Sequence, residues 1–139
     1  MSFREKSAWI TLVSVLLCFG AYFGAVFTHL VGDDPRANGW LFLKCVGAFV
    51  ALQIGLNLVA LWTTPKDGRS PKDEREQLIQ SRSHTIGYYV LVVLVLLLGV
   101  PLHLGHPAAH ELMFYALIDL VVTGLIVSAA QIVMFRRGF

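Results

Sequence analysis

Two charges sit inside otherwise apolar stretches of this chain: Lys44 within LFLKCVGAFVAL and Asp119 within ALIDLVVTG. A charge in hydrocarbon costs roughly 2.5–3.5 kcal/mol on insertion scales, so it usually faces a partner or a cavity. Counted from the expected outer ends of their helices, about six and about eight residues away, the two lie about 9 and 12 Å deep at 1.5 Å per residue, depths that suit an ion pair. Three roles fit the chemistry. The pair joins the second run to the fourth as a structural salt bridge, or serves a proton or ion pathway, or Lys44 alone reaches the outer headgroups with its long stem.

Imidazoles offer a second chemistry. His29, His103, His106 and His110 gather at the outer ends of the first, third and fourth runs, near Asp33, Asp34 and Glu111. Imidazole and carboxylate ligands suit a divalent metal, and His29 with His103 would suit a haem held between two helices. Gly105 and Pro107 interrupt the regular helix that would align the last three histidines, and interfacial histidines facing water are the plainer alternative. No cofactor is expected. A third set is amidic: Gln53 and Asn57 stand one helical turn apart, with Gln131 near the same end, and buried amides in membranes commonly join helices.

Catalytic signatures are missing from the sequence. There is no phosphate-binding glycine loop and no nucleophile elbow, and His110-Glu111 runs on into Leu112, Met113 and Phe114, which breaks the zinc-protease pattern. Cys18 and Cys45 lie in separate runs outside any C-x-x-C spacing and read as buried free thiols. The chain is not expected to be an enzyme.

The elements that must position these residues are four apolar runs, at residues 7–31, 40–62, 85–104 and 111–135. Of 139 residues 56% are hydrophobic and 14% charged, against the roughly 25% charged of a soluble domain. Each run has the roughly 20 apolar residues a helical span needs, and none alternates with the period of two that barrel strands require. The expected fold is all-α: a single polytopic membrane domain, residues 1–139, built as an up-and-down bundle of four transmembrane helices. Arg4 and Lys6 before the first run also fit a secretion signal, but that run is longer than a signal's apolar region and reads as a permanent span.

The third helix is expected to begin in water. Ser70 is a good N-cap, Pro71 suits the first helical position and Asp73 completes a capping box, while Lys72 and Glu76 are one turn apart. Leu78, Ile79 and Ile86 leave one narrow apolar stripe before polarity ends. Loop and stem cover residues 63–84, with Asp73, Glu74, Arg75, Glu76 and Arg82 as a charged docking surface or simply a solvated helix end. Gly99 and Pro101 predict a kink or a stop near the outer surface.

Basic residues set the orientation. Arg4, Lys6, Lys66, Arg69, Lys72, Arg75, Arg82, Arg136 and Arg137 all fall on one side, and Arg36 is alone in the connections of the other. Both termini and the middle loop therefore belong in the cytosol. The formal charge of +2 reflects that topology and gives no reason to expect nucleic acid. Trp9, Trp62, Tyr88, Tyr89 and Phe135 fall at one interface and Trp40 at the other, as an aromatic belt would. Gly20, Gly24, Ala21 and Ala25 in the first run and Gly47, Ala51 and Gly55 in the second form small faces, expected to meet in an antiparallel hairpin.

The opening MSFREKSAW, the KDEREQLI run leading into Tyr88-Tyr89 and the QIVMFRRG ending together resemble a group of small four-helix bacterial membrane proteins of unassigned activity. That resemblance implies a bacterial inner-membrane location, and a regulatory or sensing role through neighbouring helix-turn-helix regulators. The leading expectation is thus a non-enzymatic regulatory, sensing or accessory protein that docks a membrane or cytosolic protein through its stem. The alternative is an oligomeric ion or metal transporter using Lys44, Asp119 and the outer histidines.

Overall fold

A computed structural model describes residues 3–28, 35–65, 74–105 and 109–137, with side chains described at all of these except 35, 101–105 and 109–110. Four helices make up the described chain: α1 (Phe3–Phe27), α2 (Pro35–Thr63), α3 (Glu74–Gly105) and α4 (Ala109–Arg137). Each is long and apolar enough to cross a bilayer. Few of their large apolar side chains are fully buried and many are exposed, among them Leu17 at 62%, Leu96 at 69% and Trp62 at 77%. In water so much exposed hydrocarbon would drive association, whereas lipid is an indifferent solvent for it.

α2, α3 and α4 overrun their apolar stretches at both ends and α1 does so at its start, because polar flanking residues are tolerated where water can solvate them. At the end of α1, Thr28 donates from its backbone N (3.0 Å) and its hydroxyl (2.7 Å) to the Gly24 carbonyl. At the end of α2, Thr63 donates to the Val59 carbonyl at 2.9 Å and Thr64 to the Ala60 carbonyl at 2.6 Å, just before Pro65. Each hydroxyl reaches a carbonyl in the last turn of its helix, where the backbone ladder runs out of partners. Of the kink or stop expected near Gly99 and Pro101, the stop does not form: α3 continues through both to Gly105. One proline removes one ladder bond, a loss that helices of this kind absorb by local adjustment. Ser70, Pro71, Lys72 and Asp73, the proposed cap of the third helix, lie outside the described residues.

Two compact units partition the chain, Met1–Pro71 and Lys72–Phe139. The first is the α1–α2 hairpin. From Lys6–Thr64 through Thr11–Gln53 to Tyr22–Phe42, numbers rise on α1 as they fall on α2, so the helices run antiparallel. Phe19 packs on Phe49 with ring centroids 5.6 Å apart and Tyr22 on Phe42 at 5.7 Å, both tilted or edge-on as ring quadrupoles prefer. The small faces expected to mediate this contact do not. Gly20, Gly24, Gly47 and Gly55 have nothing within 4 Å of where a Cβ would stand, and Gly20, Ala21, Gly24, Gly47, Ala51 and Gly55 are exposed. Bulky and polar residues took the seam instead, because interlocking rings and hydrogen bonds gain more there than bare backbone contact.

The second unit is the α3–α4 hairpin, also antiparallel: Ser83 meets Gln131 and Gly87 meets Val127 and Thr123. Here a glycine does admit a close approach. A Cβ on Gly87 would overlap Val127 Cγ2 and stand 3.7 Å from Thr123 Cγ2. Ile79, Ser83, Ser128 and Ile132 are buried in this unit.

Candidate functional site

The first hairpin carries a polar seam. Lys6 Nζ donates to Thr64 Oγ1 at 3.2 Å. Further along, Gln53 Nε2 donates to Thr11 Oγ1 at 3.1 Å, and Thr11 itself donates to the Ser7 carbonyl at 3.0 Å. Asn57 Nδ2 donates to Gln53 Oε1 at 3.0 Å and to the Gln53 carbonyl at 2.7 Å. Asn57 thus orients the amide that reaches across to α1. Thr11, the receiving end, is a residue that sequence reasoning missed; its offsets from Ser7, Ser14 and Cys18 put all four on one helical face, which was the available signal. Ser14 lies on that face, 1% exposed, and its Oγ has no hydrogen-bond partner among the described residues.

Gln131 belongs to the other unit, where its Nε2 donates to Ser83 Oγ at 3.1 Å and Ser83 donates to the Gln80 carbonyl at 2.9 Å. Ser83 is fully buried and stands four residues before Gly87, a small-xxx-small pair that the sequence reading passed over. The amide therefore ties the polar start of α3 to the end of α4, one turn from the glycine that lets the helices close.

Lys44 is exposed on α2. Asp119 is half-buried on α4, and its Oδ2 is buried with no hydrogen-bond partner among the described residues. Both helices begin earlier than their apolar runs, so Lys44 lies nine and Asp119 ten residues past the helix start, about 14 and 15 Å. The two residues belong to separate compact units. Thr123, one turn beyond Asp119, donates to its backbone carbonyl at 2.7 Å.

His29, His106, Asp33 and Asp34 lie outside the described residues, and His103 and His110 are described in backbone only, at the end of α3 and the start of α4. Among the described residues no three His, Cys, Asp or Glu side chains are grouped to hold a metal ion. Cys18 is buried as expected, whereas Cys45 is only half-buried; both are free.

On the stem, Glu74, Arg75, Gln77, Gln80, Ser81, Arg82 and His84 are exposed and Glu76 is half-buried, while Asp73 lies outside the described residues. Of the apolar stripe, Ile79 is 1% exposed, but Leu78 and Ile86 remain 46% and 39% exposed. Ile79 and Ser83, one turn apart, are thus the buried edge of a helix start that is otherwise mostly exposed. The chain matches no protein-family model, no curated protein and no solved structure.

Proposed function

We propose that the chain is a multi-pass protein of the bacterial inner membrane, with both termini cytosolic, whose biochemical role is non-enzymatic: the start of α3 is a braced, charged platform for a protein partner. Residues 74–85 span roughly 18 Å at 1.5 Å per residue, and the remaining twenty residues of the 32-residue helix span about 30 Å, the hydrocarbon thickness of a bilayer. The single observation that carries this reading is the brace. Buried Ile79 and Ser83, with the Ser83–Gln131 hydrogen bond, hold the polar turns in a fixed direction while Glu74, Arg75, Gln77 and Arg82 are exposed to solvent. A merely solvated helix end needs no such support and would fray.

Photo-crosslinking in native membranes tests it. A crosslinker at Gln77 should yield one defined adduct that disappears on charge reversal of Glu74, Arg75 and Glu76, while the same group at exposed Val93 yields lipid. Equal adduct patterns before and after reversal would refute the platform. Labelling of a single cysteine at position 77 from only the cytosolic side of sealed vesicles tests the orientation.

A second reading is favoured by Asp119 Oδ2, buried and without a hydrogen-bond partner among the described residues. An acid in that state within a span suits a transported proton or cation, with Lys44 and the outer histidines along the path and an oligomer as the working unit. In proteoliposomes Asp119→Asn would then abolish flux with helicity intact; wild-type vesicles that carry no flux remove this reading.

A further inference from the structure

The register of the first hairpin brings its two cysteines face to face. Phe19–Phe49 and Tyr22–Phe42 fix how α1 lies along α2, and that register sets Cys18 opposite Cys45. On α2, Cys45 stands three residues after Phe42 and four before Phe49, on the helical face whose rings pack against α1. On α1 the cluster continues by helical spacing: Ser14, Cys18 and Tyr22 recur every fourth residue along one face and are 1%, 8% and 8% exposed. Ser14 Oγ is buried there with no hydrogen-bond partner among the described residues. Two free thiols thus lie at one level of the hairpin beside two aromatic pairs, with the Tyr22 phenol one turn along α1 on one side and the Ser14 hydroxyl one turn on the other, where hydrocarbon would be the ordinary filling.

We propose that Cys18 and Cys45 form a two-sulfur site for a soft metal ion of low coordination number, of the Cu(I) type. Ligand softness and ligand number both select it. Hard cations such as Mg2+ and Ca2+ want six or more oxygens and structural zinc wants four ligands, and no group of three His, Cys, Asp or Glu is present among the described residues. Thiol sulfur prefers soft ions, and Cu(I) is content with two such ligands. The charge balance suits an apolar setting. When Cu+ enters, one thiol gives up its proton to solvent and the other keeps its own, so a thiolate and a thiol share the ion in a complex of zero net charge. Half-buried Cys45 is the way in and buried Cys18 the closing ligand. This inference stands apart from the platform reading and from the outer histidines.

The test uses the full chain in detergent micelles under anaerobic, reducing conditions, with Cu(I) supplied as the complex of a coloured chelator. Wild-type protein should withdraw one Cu(I) per chain from the chelator, and Cys18→Ala and Cys45→Ala should each fall to background with unchanged circular dichroism. Should either variant misfold, the wild type alone decides: Cu(I) should slow maleimide labelling of Cys45. Copper left entirely on the chelator, copper held equally by both single variants, or labelling indifferent to Cu(I) would overturn the site.

Discussion

Replacing Gly87 with alanine adds one methyl at the point where α3 and α4 come closest. That methyl would overlap Val127 Cγ2, with Thr123 Cγ2 at 3.7 Å. Valine in a helix is confined to one χ1 rotamer, so Cγ2 cannot swing clear and the helices must part. Overpacking of this kind costs about 1–3 kcal/mol, while alanine's better helix propensity returns about 1 kcal/mol. The expected net loss is therefore up to about 2 kcal/mol. Val127→Ala makes room for the new methyl, so the double variant should recover part of the loss, with a coupling of about 1 kcal/mol between the sites. Unfolding by SDS in mixed micelles, followed by far-ultraviolet circular dichroism, reads these differences. Gly20→Ala is the control: nothing lies within 4 Å of its Cβ, so stability should hold or rise by up to about 1 kcal/mol. A Gly87→Ala variant as stable as the control, or a double variant no better than the sum of its parts, would refute the packing argument.

Other expectations concern the polar seams. A double-mutant cycle of Thr11→Val with Gln53→Leu should give a coupling of about 0.6 kcal/mol, the mean for such bonds in membranes, and Asn57→Leu should shrink it by freeing the amide. Ser83→Ala should cost about 1–3 kcal/mol because it strands Gln131, whereas adding Gln131→Leu should give part of that back; equal losses in both would argue against the bond. Lys6→Met should leave Thr64 bonded to the Ala60 carbonyl and so cost under about 1 kcal/mol in the same assay, consistent with a partly exposed contact.

The candidate site was legible in part. Gln53, Asn57 and Gln131 announce themselves because an amide in an apolar run has to find a partner. Their partners do not, since Thr11 and Ser83 are small hydroxyl residues of a kind that also occurs where nothing crosses, as at Thr85, which only donates to the Ser81 carbonyl at 3.0 Å. Gln131, which the sequence puts near the same end as Gln53 and Asn57, bonds Ser83 within its own compact unit. Depth along a helix is local arithmetic, whereas the neighbour at that depth depends on how helices turn toward one another.

Four helices, their approximate positions and their fitness for a bilayer are already determined by the amino-acid sequence. Run length, the scarcity of charge and the need to satisfy every backbone group leave no other spanning structure. Which face of each helix turns inward was decided only by tertiary packing. In a soluble helix the apolar stripe marks the core, but these helices are apolar nearly all round, so the hydrophobic pattern points nowhere. Glycines then advertise several faces at once: Gly20, Gly24, Gly47 and Gly55 make the longer motifs and stay open, while Gly87 closes against Val127. The choice falls to shape and hydrogen bonding between particular side chains, and those exist only once two helices have met.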